Sequence, residues 1–181
     1  MLTINKSAIN DCFEFISESY MDQRGEFVKI YQKNQFQELG INENLVEEFY
    51  TVSFKNVLRG MHFQSPPHDH VKIVNCIEGE IFDVIIDLRV NSATYGKVET
   101  FILSERKKNG IFVPKGLAHG FCVLSQRAVL LYKTSSPHSL VHDSGILYNS
   151  IGIDWPVKIP ILSVRDLNFK PFLNFESPFK S

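Results

Sequence analysis

Three cysteines in 181 residues, Cys12, Cys76 and Cys122, are too few and too far apart to staple a fold. Their odd number and the lack of any C-x-x-C pair exclude a disulfide framework and a zinc ribbon, so all three are expected as thiols, mostly buried. An excess of either charge is also missing, since 19 basic residues stand against 20 acidic ones. Nothing therefore draws the chain onto a phosphate backbone, and no nucleic-acid partner is expected. No apolar window approaches the length of a membrane span, and the opening MLTINKSAINDCFEF holds no apolar run of the signal-peptide kind. A cytoplasmic protein without membrane contact is the resulting expectation. Internal repeats and low-complexity blocks are absent too.

What is present is an ordinary globular composition, 44% hydrophobic and 22% charged, in a length that suits one domain spanning residues 1–181. Apolar and β-branched residues come in short runs: EFVKIYQ, FYTVSF, VKIVNCI, EIFDVIIDLRV, KVETFILS, GIFVPKG, GFCVLS and AVLLYKTSS. Between them, Glu78-Gly79-Glu80, Lys108-Asn109-Gly110 and Pro114-Lys115-Gly116 read as hairpin turns. Only FQELGINENLVEEF suggests a helix. Many short strands without intervening helices predict an all-β antiparallel sandwich or jelly-roll barrel with a few short helices, its function in the barrel mouth. After residue 150 the pattern loosens into a tail expected to pack on the barrel, with its last few residues frayed. Gly25, Gly60, Gly79 and Gly116 are expected at positive φ.

The chemistry concentrates in RGMHFQSPPHDHVK, residues 59–72, which holds an arginine, three histidines and a lysine. His68-Asp69-His70 is an H-x-H pair, and alternate strand residues point the same way, so with His119 it suggests a metal-dependent cupin oxygenase or isomerase. The metal-binding cupins that such a pair resembles carry a glutamate closely after it, yet Ile73, Val74 and Asn75 stand there and the first carboxylate is Glu78. A proton-transfer reading instead needs a base, an acid on the opposite side and a cation for developing negative charge. His62, Tyr132 and Lys72 are of those types. Lone residues of these kinds are more often structural or solvated, so the residues by themselves leave both readings open.

Longer motifs separate them. Asp22-Gln23-Arg24-Gly25 is similar to D-x-R-G, VLRGMHFQSPP to V-L-R-G-L-H-x-Q-x-P-P, and IFVPKGLAHGFCVLS to a segment containing P-x-G-x-A-H-G-F. KIVNCIEGEIFDVIIDLRVNSATYG is similar to K-L-V-x-x-x-x-G-x-V-x-D-V-x-V-D-L-R-x-x-S-x-T-Y-G, and IGIDWPVKIPILSVRD to I-x-I-x-W-P followed by L-S-x-K-D. From about Asp22 to Asp166 the chain thus resembles the dTDP-4-dehydrorhamnose 3,5-epimerase family, in the same order throughout. The resemblance implies a cupin-like jelly roll, or double-stranded β-helix, that needs no metal and no organic cofactor. It implies that His62 takes a proton from carbon beside a sugar ketone, with Asp166 on its other ring nitrogen. Tyr132 would return a proton on the opposite face and Lys72 would hold the enolate oxygen. Arg24, Arg59 and His119 resemble residues that bind the diphosphate and sugar, and Gln64 and Lys29 are grouped with them. The implied activity is inversion at C3, C5 or both of a nucleotide-linked 4-keto-6-deoxy sugar for bacterial surface polysaccharide. A homodimer is implied, with an N-terminal strand crossing to the partner.

Departures from the family pattern cluster at the nucleotide end. Where a tyrosine usually stacks on thymine, six residues past Tyr132, this chain has His138. A Q-x-N-x-S-like stretch is replaced by EEFYTVSF, and a glutamate after D-x-R-G by Lys29. GDP and CDP therefore join dTDP as candidate carriers, with GDP expected to bind more tightly than dTDP and CDP between them.

Overall fold

The computed structural model describes residues 2–180. Four short strands come first: β1 (Thr3–Lys6), β2 (Phe13–Ile16), β3 (Glu18–Asp22) and β4 (Gly25–Lys29). A short helix, α1 (Lys33–Glu38), leads into β5 (Glu47–Phe54), β6 (Leu58–Gln64), β7 (Lys72–Glu78) and β8 (Glu80–Asp87). The barrel is completed by β9 (Val98–Ser104), β10 (Asn109–Val113), β11 (Leu117–Val123), β12 (Arg127–Thr134) and β13 (Asp143–Gly145), and α2 (Val164–Leu167) lies in the C-terminal segment.

The strands form a six-stranded sheet, β1-β2-β10-β7-β12-β5, and a five-stranded sheet, β13-β6-β11-β8-β9, while β3 and β4 make a separate hairpin. The two large sheets face each other across Val74, Cys76, Leu130, Ile81, Ile85 and Phe121, which gives the expected jelly roll. Alternate residues of the same strands point outward and are covered as well. Val71, Ile73 and Phe112 lie under Phe36 of α1. Met61, Val84, Ile86 and Ala118 lie under Trp155, Phe172, Phe175 and Phe179 of the tail. Burial on both faces explains why EIFDVIID and GIFV read as continuous apolar runs rather than alternating ones. All three cysteines are free and buried.

Three sequence expectations are corrected. Gly79, Lys108 and Gly116 do turn the chain at positive φ. The turns are not hairpins, however: β7 to β8, β9 to β10 and β10 to β11 each pass from one sheet to the other. A left-handed residue serves a sheet-to-sheet corner as well as a hairpin, so local turn chemistry does not distinguish them. The helix expected across FQELGINENLVEEF stops at Glu38, before Gly40 at φ +84, and only the last three residues of that stretch, Glu47–Phe49, are strand, the start of β5. There β5 pairs with β12 from Glu47↔Thr134 to Phe54↔Arg127, and this ladder overrides the helical preference of its glutamates. Nor is the C-terminus frayed as far as it is described. Phe179 is buried against Phe63, ring centroids 5.5 Å apart, and its carbonyl accepts from the Val90 N–H at 2.9 Å. Ser181 lies outside the described residues. Among them, no helix is long and apolar enough to cross a membrane.

Candidate active site

The adjacent strands β6 and β11 bring two histidines side by side: His62 is the register partner of His119. Both point into the barrel, since the neighbours Met61 and Ala118 belong to the outer cluster. The two strands approach closely because both are glycine at the contact. A Cβ on Gly60 (φ +142) would lie 2.5 Å from the Cα of Gly120. The ladder is irregular between His119 and Phe121.

The facing sheet supplies Lys72 from β7 and Tyr132 from β12, on the inward faces shared with Thr134 and Val74. Together the two walls enclose a cavity of about 400 Å³ lined by His62, His119, Lys72, Tyr132, Arg59 and Phe121 among others. The Tyr132 ring stacks on Phe49 at 4.8 Å and 9°, and its other neighbour is the His119 ring at 6.2 Å. Lys72 Nζ donates to the His62 carbonyl at 3.3 Å.

Electrostatics sort these groups. Asp166 is buried on α2, where burial opposes its ionisation, but hydrogen bonds from His62 and from the Gly60 N–H outweigh this and hold it at about 2. An ionised carboxylate only accepts, so His62 Nε2 donates to Asp166 Oδ1 at 2.9 Å, which leaves Nδ1 with the ring's lone pair. Burial holds His62 below its ordinary pKa although Asp166 pulls the other way, so the neutral, basic form is favoured. Burial also lowers Lys72 to about 8 and pushes the Tyr132 phenol upward, keeping its proton in place. Behind His119 a second carboxylate, Asp83, meets its Nε2 at 2.7 Å, with the other oxygen buried and unpartnered. Burial raises Asp83, opposed by His119 and Lys72.

Of the ten candidate residues, His62, Tyr132, Asp166, Lys72, Arg59 and His119 gather in or directly behind this cavity. Arg59 Nε donates to Ser53 Oγ at 3.0 Å. His138 lies at the mouth, its backbone N–H donating to Glu47 and its Nε2 3.3 Å from Asp143 Oδ2. Gln64 is spent on structure: its amide donates to the His68 and Pro137 carbonyls and accepts from the Ser139 N–H. Two residues are not brought to the cavity of their own chain. Arg24 sits at the tip of the β3–β4 hairpin, side chain 86% exposed, paired with Asp22. Lys29 ends the same hairpin, opposite Glu18. Hairpin and barrel belong to different sheets, so a motif's order in sequence said nothing about the gap between them.

The metal alternative loses its geometry. Residues 68–70 form a loop before β7 rather than a strand, and the His68 ring packs on His142 at 4.4 Å. His70 Nδ1 is engaged by Gln64 at 3.0 Å, and His119 by Asp83. Among the described residues no three His, Cys, Asp or Glu side chains form a group able to hold a metal. Asp143 and Arg165 at the cavity, and Asp83 behind His119, were not singled out from the sequence, and Glu47 and Phe49 entered only as part of the altered stretch EEFYTVSF. Only Asp83 left a usable signal, a carboxylate inside the apolar run EIFDVIID that demands a buried partner.

The family model described as dTDP-4-dehydrorhamnose 3,5-epimerase matches residues 6–174. The chain belongs to that family. It is therefore an isomerase of nucleotide-linked sugars. The dTDP-4-dehydrorhamnose 3,5-epimerase of Shigella flexneri is 39% identical over 176 residues, 96% of this chain and 97% of the relative. A dTDP-4-dehydrorhamnose 3-epimerase of Streptomyces niveus is 36% identical, over 87% and 78%. Among solved structures, the 3,5-epimerase of Legionella pneumophila in complex with dTDP-4-keto-L-rhamnose superposes with a TM-score of 0.93 at 34% identity, covering 97% of this chain and 95% of that one.

Proposed function

We propose that this epimerase inverts C3 and C5 of a nucleoside-diphosphate-linked 4-keto-6-deoxy hexose without metal or organic cofactor, in supply of surface polysaccharide. The observation that supports the reading is that His62 on β6 and Tyr132 on β12 stand on facing walls of one cavity. The 4-ketone acidifies both neighbouring C–H bonds. His62 Nδ1 takes such a proton, and the imidazolium is stabilised by Asp166. Lys72 holds the enolate oxygen with a charge that counts for more in a partly dry pocket. Protonation of the planar enolate by Tyr132 from the other side inverts the carbon, and His119, set by Asp83, and Arg59 hold the substrate.

The relatives' names make dTDP the first carrier to test. The mouth favours a second reading, since it offers the Glu47 carboxylate and the His138 imidazole. A neutral imidazole stacks less well than a phenol, and a carboxylate accepts from the amino groups of guanine and cytosine that thymine lacks. GDP should then bind more tightly than dTDP, with CDP between them. Incubation with dTDP-, GDP- and CDP-linked 4-keto-6-deoxy sugars in deuterated water, with NMR to locate deuterium, tests activity, carrier and position together. Deuterium at C3 alone would make it a 3-epimerase, and none from any substrate would overturn the reading.

The second half of the proposal is a homodimer. The outward face of β5, Tyr50, Val52 and Phe54, is exposed on the open edge of the six-stranded sheet, and the β3–β4 hairpin exposes Tyr20, Met21 and Phe27. Docking of the hairpin onto a second copy would cover both surfaces and carry Arg24 and Lys29 to the partner's cavity.

A further inference from the structure

The cavity rim holds a cation with no part in the chemistry so far. Arg165, on α2 beside Asp166, places Nη1 on Asp143 Oδ2 and Nε 3.6 Å from Asp166 Oδ1. Asp166 Oδ1 is the same oxygen that meets His62 Nε2. The guanidinium also lies over the Phe169 ring at 5.5 Å, and that ring meets the His62 imidazole in a T-shaped contact at 5.7 Å. Asp143 in turn receives His138 from the mouth. A continuous chain of contacts therefore runs from His138 through Asp143, Arg165 and Asp166 to His62.

An ordinary surface ion pair would leave such a side chain mobile and energetically neutral. Here both carboxylates are largely buried, with side chains 12% and 4% exposed, and the flat ion is held on an aromatic face. We propose that Arg165 is a positioning residue for the proton base: anchored on Asp143 and on the Phe169 ring, it fixes the Asp166 oxygen against His62, so that Nδ1 is aimed to accept. The charged and titratable groups around His62 are Asp166 and Arg165 on α2, Lys72 on β7, His119 on β11 and Tyr132 on β12. Burial disfavours the imidazolium most, Asp166 favours it, and Lys72 and then Arg165 disfavour it, so the guanidinium offsets a small part of the partner's pull. Asp143 anchors the cation from β13, whose Gly145 pairs with His62 itself. The role presupposes His62 as the base.

The test compares Arg165→Met and Arg165→Lys by NMR titration of the His62 imidazole in the substrate-free protein and by the pH profile of deuterium wash-in. Methionine should raise the His62 midpoint by roughly half a pH unit, the size expected for one nearby charge in a partly solvated site. The acid limb of wash-in should move up with it. Lysine should leave the midpoint near that of the unsubstituted protein yet slow wash-in, because an ammonium cannot bridge both carboxylates as a fork does. Asp143→Asn, which keeps the cation and removes its anchor, should slow wash-in too. An unmoved midpoint in Arg165→Met, or unslowed wash-in in the other two, would overturn the proposal. Because the titration needs no substrate, a protein inactive on every 4-keto sugar would defeat the functional reading and leave this test standing.

Discussion

A single amine of the cavity wall, the half-buried Lys72, sets the upper pH limit. Lys72 must be charged to hold an enolate oxygen, and burial has brought it down to about 8. Above that pH the fraction of protonated Lys72 falls, so kcat/KM should decline through about pH 8. On the acid side activity is lost only where His62 is protonated, and burial has moved that point below its ordinary value. A pH profile of kcat/KM on substrate checks both limbs, and a rate still rising well past pH 8 would contradict the role given to Lys72. Tyr132→Phe should slow net inversion more than it slows deuterium wash-in at the starting configuration, because it removes the donor and leaves the base. Comparing the two rates by NMR makes the distinction, and equal mild losses would mean that the ring stacked on Phe49 only packs. His62 and Lys72 were legible because they sit in long ordered motifs such as VLRGMHFQSPP. Arg165 lies in such a motif too, beside Asp166 in LSVRD, but nothing there gives it a role, and Asp143 is one charge among surface charges until the fold places α2 beside β13.

The decisive element pair is β6 with β11, where Gly60 meets Gly120 and sets His62 opposite His119. Gly60→Ala forces a methyl against backbone at a positive φ, so the strands must part. A loss on the order of 1–3 kcal/mol is expected, the range for overpacking, seen as a lower denaturation midpoint. Activity should fall further than stability alone explains, because the two histidines move with their strands. A neutral substitution would show that the close approach is not needed. Strand existence was well read from the apolar runs, as both faces of most barrel strands are covered. Partnering was not, since β7 bonds to β10 and β12 rather than to its sequence neighbour β8, and those pairings are non-local. The misread helix has the same origin: EEFY forms strand because β12 offers it a ladder.

At the scale of the whole molecule the central questions are assembly and proton chemistry. Sedimentation should give twice the 20.8 kDa of one chain. Arg24→Ala, far from its own cavity, should raise KM with little change in kcat if the hairpin reaches a second copy. A monomer with an indifferent Arg24 would contradict the dimer. Neither surface was legible as an interface in sequence, because Tyr20, Phe27, Tyr50 and Phe54 look like core residues until the barrel closes without them. The measurement that bears most directly on the account is solvent exchange by His62→Asn, an amide of similar shape that cannot take the proton. Folded variant and unsubstituted protein are given the same 4-keto sugar nucleotide in deuterated water. The account predicts deuterium at the epimerised carbons with the unsubstituted protein and none above background with the variant, while nucleotide binding by calorimetry stays near normal. Exchange at an undiminished rate in His62→Asn would mean that another group takes the proton.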